Sequence, residues 1–123
     1  MEIVTFQNDN AGGTVFGRET VTLQPGLSDF LATSPLMSAA QPCKRYFFSE
    51  LAAGYYSRKD FSSRRQICVL LSGELEVTST EGQTERFVAG DVLRLDDTDF
   101  QTPGRTVRVT GECPARILSV QID

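Results

Sequence analysis

The chain has no histidine. Histidine is the one side chain whose unperturbed pKa makes it both acid and base near neutrality, and it is the commonest metal ligand. Any general acid–base step must therefore fall to a carboxylate, thiol, lysine or tyrosine with a displaced pKa. Cysteine is scarce: Cys43, Cys68 and Cys113 are an odd number with no CxxC spacing, which argues against a disulfide framework and a zinc site. Positive charge is in deficit, with 12 basic against 16 acidic residues and a net charge of −4. That balance gives no bulk electrostatic case for a nucleic acid or an anionic membrane as partner. Long apolar runs are missing as well, the longest being about the length of a strand and far short of a bilayer span. The opening MEIVTFQNDN has no basic segment and no long apolar run, so no signal peptide is expected and a cytoplasmic location is the default.

What remains is the composition of an ordinary globule, 40% hydrophobic and 23% charged over 123 residues. That length predicts one domain, 1–123, able to bury a core without disulfide or metal. Apolar residues fall in short runs. Residues 2–6 alternate polar and apolar, and a turn cluster follows at 8–13. Residues 14–23 are extended again. Residues 24–41 mix Pro, Gly and Ser with scattered apolar residues and read as an arm, with one helical turn near 28–32. In 44–48, Lys44, Tyr46 and Phe48 face one way, and Arg45 and Phe47 the other. Residues 55–63 are polar and read as a strand entering a loop. Residues 67–71 are apolar on both faces and read as a central strand with neither face in water. In 74–80, Leu75 and Val77 alternate with Glu74, Glu76 and Thr78. Runs at 84–88, 92–95, 105–110 and 115–122 follow, parted by Gly-containing turns and the loop 96–104. Short strands with turn signals about every ten residues predict a β-sandwich or barrel with almost no helix.

The segment RRQICVLLSGELEVTSTEGQTERFVAGDVLRLDDT carries a more specific pattern. Gly73 follows one strand, Glu81-Gly82 marks a hairpin, Ala89-Gly90-Asp91 introduces the next strand, and a glycine with a basic strand comes after. In this it resembles the core of a small single-domain bacterial cupin, over roughly residues 44–123. The resemblance implies an all-β, cupin-type jelly-roll barrel or sandwich, with N-terminal strands and an extended arm in 1–41. It also locates the positions where metal cupins carry a glutamate and histidines. The glutamate position falls on Gln66. The histidine pair falls near Asp60 and Ser62, or on Lys59 and Phe61 if the loop differs by one residue. The later histidine falls near Arg105. The usual ligand set is thus replaced, so no metal and no cofactor are expected. Asp96, Asp97 and Asp99 offer carboxylates to a hard cation, but the run reads better as a solvated turn.

With Gln66 facing a lumen, alternation also sends Arg64, Cys68 and Leu70 inward. Tyr46 and Phe48 are placed on the opposite wall. Arg64, Gln66, Cys68, Tyr46 and Phe48 are then candidate ligand-binding residues, and Asp60 and Arg105 candidate catalytic ones. Arginine suits capture of a carboxylate or phosphate. The plainer reading makes Arg64 and Arg105 rim residues, one paired with Asp60, and Cys68 a small buried hydrophobe. Whether the chain is an enzyme stays open. One reading is a metal-independent isomerase, cyclase or lyase acting on a small organic acid, or on another anionic, partly apolar molecule. A second is a ligand-binding or regulatory cupin without chemistry, and a third a structural cupin with a degenerate site. The Ile67, Val69 and Leu71 face needs cover, which the N-terminal strands could supply from the same chain or from a partner, and a homodimer is expected.

Overall fold

The computed structural model describes residues 1–27, 34–60, 62–99 and 104–123, with Lys59 described by its backbone alone. Twelve strands run β1 (Glu2–Asn8), β2 (Thr14–Thr20), β3 (Gln24–Pro25), β4 (Leu36–Met37), β5 (Arg45–Leu51), β6 (Tyr56–Asp60), β7 (Gln66–Ser72), β8 (Glu74–Thr78), β9 (Thr84–Val88), β10 (Val92–Leu95), β11 (Arg105–Thr110) and β12 (Ala115–Gln121). There is no helix among the described residues, and so none long and apolar enough to cross a membrane. The helical turn expected near 28–32 lies outside them.

Two sheets carry the architecture. A six-stranded sheet has the order β2-β1-β10-β7-β12-β5, and a four-stranded sheet the order β6-β11-β8-β9. Strands β3 and β4 form a separate two-residue ladder in the arm. All pairings are antiparallel except β1 with β10, where Val4 lies opposite Leu93 and Phe6 opposite Leu95. The core fills the space between the two sheets. Leu75 and Val77 of β8 point into it while Glu74, Glu76 and Thr78 point out, as strict alternation requires. Leu70 and Leu93 enter from the six-stranded sheet, and Val109 and Phe87 from the four-stranded one. Phe6 bridges the layers, its ring 5.1 Å from that of Phe16 and 6.0 Å from that of Phe87. Such tilted aromatic pairs add about 0.5–1.5 kcal/mol beyond their burial.

The N-terminal strands do not stack on the β7 face. They extend the sheet edge to edge, so the outer side of β7 stays wetter than its composition suggests. Ile67 and Val69 are half-buried and Leu71 is 46% exposed. Ser38, Ala39 and Gln41 border a groove with Ile67 and Val92 at one end of that side.

Strands β7 and β8 follow one another in sequence but belong to different sheets. The chain changes layer at Gly73, whose φ of +81° is left-handed. A Cβ there would also lie 2.5 Å from the carbonyl oxygen of Pro114 and 2.8 Å from Cα of Ala115, at the start of β12. Glycine is needed twice over, for the backbone angle and for the close approach. Gly82, with φ +93° and nothing within 4 Å of its Cβ position, needs only the angle. Replacing Gly82 by alanine should cost roughly 1–2 kcal/mol, and Gly73→Ala about 3 kcal/mol or more, because backbone must also move. Chemical denaturation of the two variants checks this, and equal losses would show that the Pro114 contact does not matter.

Candidate functional site

One end of the barrel is closed by a buried polar cluster. Asp97, just beyond β10, is 0% exposed, and Arg105, the first residue of β11, is 7% exposed. Arg105 Nη1 donates to Asp97 Oδ2. The carboxylate also accepts from Thr14 Oγ1 and Ser62 Oγ, each at 2.8 Å. Arg105 Nη2 reaches the same Ser62 hydroxyl at 3.4 Å, and the guanidinium lies over the Phe6 ring, 5.1 Å from its centroid. The cluster joins β2 and the end of β10 in one sheet to β11 in the other. A buried carboxylate is tolerated only when its lone pairs are met, and here two hydroxyls and a guanidinium meet them. One donor is left over: Arg105 Nε is buried and has no hydrogen-bond partner.

Beside the cluster lies a cavity of about 170 Å³ between the sheets. Its aliphatic side comes from Leu75 and Val77 of β8 and Val107 of β11. The six-stranded sheet adds Leu70 and Leu93, and also polar groups: Gln66 and Cys68 from β7, Ser119 from β12 and Ser49 from β5. Cys68 Sγ and Ser119 Oγ are 3.5 Å apart. Arg105 belongs to the wall. Burial pushes the Cys68 thiol up, only partly offset by the Ser119 hydroxyl and the Arg105 charge. The group is therefore a neutral thiol near pH 7, and a poor nucleophile.

The residues singled out from sequence separate into two groups. Gln66, Cys68 and Arg105 share the cavity wall. Arg64 does not: it is exposed and borders an outer groove with Arg65, Thr98 and Asp123. Alternation fails for it because β7 begins only at Gln66, with a bend before it. Tyr46 and Phe48 are each 67% exposed on the outer face, while Ser49 and Leu51 of the same strand reach the lumen. Asp60 sits opposite Arg105 in the β6–β11 register, yet its carboxylate accepts from Ser57 at 2.7 Å and is not part of the wall. Arg105 thus pairs with Asp97 and not with Asp60. The run 96–99 is not a solvated turn. Asp97 is fully buried, Asp96 is half-buried with its carboxyl raised by burial, and only Asp99 is exposed. Thr14 escaped sequence reading, Asp97 entered it only as part of a solvated turn, and Ser62 only as a ligand position. The available signal was that a guanidinium facing the core requires an anion nearby.

The positions where the resemblance puts metal ligands form no coordination sphere. Ser62 is held by Asp97, Asp60 by Ser57, and Arg105 brings a positive charge. No three His, Cys, Asp or Glu side chains converge among the described residues. Phe61 lies outside them.

Residues 50–110 match the family model described as the EutQ-like cupin domain. The cupin domain of Schizosaccharomyces pombe Cnp3 has a similar structure, with a TM-score of 0.51 at 12% identity, over 100% of this chain and 83% of that one. At that identity the likeness is one of fold. No curated protein matches. Two packed sheets, antiparallel but for β1 with β10, and these matches make the chain a cupin-type jelly roll.

Removing one partner of a buried pair strands the other's charge. Asp97→Asn should cost about 3–5 kcal/mol. Asp97→Asn combined with Arg105→Met should recover much of that loss, since no unpaired charge is left. Urea unfolding of the single and double variants measures the difference, and a single variant that loses under 1 kcal/mol would show that the pair does not hold this end shut.

Proposed function

We propose that the chain is a metal-independent binding cupin whose lumen takes one small, partly apolar molecule without transforming it. The observation that carries this reading is the 170 Å³ cavity with Arg105 in its wall and Nε unsatisfied. An engineered apolar cavity of about 150 Å³ in another protein takes up benzene, so the space suits a single ring or a short chain. The unpaired donor calls for an acceptor on the ligand, because an orphaned buried donor is costly. Catalysis is disfavoured by the wall's chemistry. Among the described residues its titratable groups are a thiol raised by burial and a guanidinium, and neither moves a proton readily near neutrality. Asp60, the acid or base of an isomerase or lyase reading, lies outside the wall.

A screen of small aromatic and short-chain molecules by thermal shift should return binders whose affinity survives exhaustive chelation. Arg105→Lys keeps a cation opposite Asp97 but lacks the Nε donor, and should weaken such a binder by about 1–1.5 kcal/mol. Binding that vanishes with chelator, or is indifferent to Arg105→Lys, would count against this site.

The homodimer expectation has a specific surface to rest on. Across β5, β12 and β7 the outer face reads in rows: Tyr46, Val120 and Ile67, then Phe48, Leu118 and Val69. The next row is Glu50, Arg116 and Ser72, with Arg116 and Glu50 joined at 2.9 Å. Two apolar rows closed by a row carrying both signs are self-complementary: a two-fold axis can set Arg116 of one copy beside Glu50 of the other. Light scattering at micromolar concentration should give twice the 13.6 kDa chain mass, and Phe48→Asp should return the monomer. A wild-type monomer would rule this interface out.

A further inference from the structure

We infer that the lumen selects an uncharged ligand, one with an apolar body and hydrogen-bonding groups along a single edge. This rests on the lumen-binding reading and adds to it the charge and the polarity pattern of what is bound.

The charge follows from the bookkeeping at the closed end. Arg105 is the charged member of the wall among the described residues, and it is already neutralised by Asp97. That carboxylate is itself fixed by Thr14 and Ser62 and fully buried, so it cannot turn away to solvent when another anion arrives. A carboxylate or phosphate in the lumen would bring a second negative charge close to Asp97 with no second cation to meet it. It would also give up its hydration in a space with aliphatic walls, which is costly for an ion and much less so for a neutral group. An arginine in a cupin lumen suggests an anion when read from sequence; paired as it is here, it offers a hydrogen-bond donor without a free charge.

The polarity pattern follows from the strand register. Ser119 lies opposite Cys68 across β12 and β7, and Gln66 is two residues from Cys68, hence on the same face. Ser49 of β5 extends this polar side. Among the described residues the Gln66 amide makes no hydrogen bond, and Ser119 has only the weak thiol contact. These are neutral groups that both donate and accept. Facing them, Leu75 and Val77 present only carbon. A planar molecule with a carbonyl, amide or hydroxyl on one edge, and an acceptor of that edge within reach of Arg105 Nε, satisfies both sides at once.

The test uses the full chain and matched probes of one shape: benzamide and phenol as neutral members, benzoate as the anion. Affinities are measured by calorimetry at pH 7.5, on the wild type and on Ser119→Leu, which fills the lumen from the polar side and whose fold is checked by circular dichroism. Benzamide or phenol should bind at least tenfold more tightly than benzoate, and Ser119→Leu should weaken that binding at least tenfold. Benzoate binding as tightly as benzamide or more so, with the same sensitivity to Ser119→Leu, would overturn the inference and leave lumen binding intact. Probe binding that ignores Ser119→Leu, or no saturable binding at millimolar concentration, would overturn the lumen reading itself.

Discussion

A buried ion pair between Arg105 and Asp97 sets the terms for this barrel. Hydrophobic packing holds the two sheets face to face, but packing alone does not specify how their ends meet. The pair does so by directional bonds: Asp97 takes Thr14 from β2 and Ser62 from the segment before β7, while Arg105 belongs to β11 in the opposite sheet. In net stability such a pair is often no better than an apolar plug of the same volume. Its value is in fixing which residues close the end and in leaving the neighbouring lumen electrically neutral. On the proposed reading, shape and hydrogen bonds then decide what the lumen takes, and bulk charge does not.

The same pair shows what a chain without histidine places at this end of a cupin-type fold. A guanidinium and a carboxylate lie beside the lumen, and two hydroxyls complete the bonding of the carboxylate while Arg105 Nε is left over. Fold and function therefore part company at this point, and the function has to be read from the wall of the cavity.

The strands were legible in the sequence because alternation is a local signal. Leu75 and Val77 against Glu74 and Glu76 can face only one way, and Gly73 and Gly82 mark where the chain turns. The faces were harder where neighbours were chemically alike. In the run Arg45-Tyr46-Phe47-Phe48 aromatic residues fall on both faces, so hydrophobicity does not say which side is inner; the structure puts Ser49 in the lumen and Tyr46 and Phe48 outside. Arg64 was misplaced because alternation was carried past the start of a strand. Asp97 was missed for a different reason. An acidic run after a strand has the composition of a wet turn, and its burial depends on Thr14, 83 positions away in sequence, which no local pattern reports.

The parallel pairing of β1 with β10 has a consequence for how the chain assembles. Hairpin β1–β2 is local and can close early, but β1 cannot meet its other neighbour until the chain has been made as far as β10. Until then both edges that will meet are open, one on the hairpin and one on the growing sheet, and each is a template for any extended segment that passes. Among the strand pairings of the described residues this one spans the most sequence, and forming it covers both of those edges. Folding speed, through this one long-range pairing, governs how long the nascent chain stays exposed to aggregation.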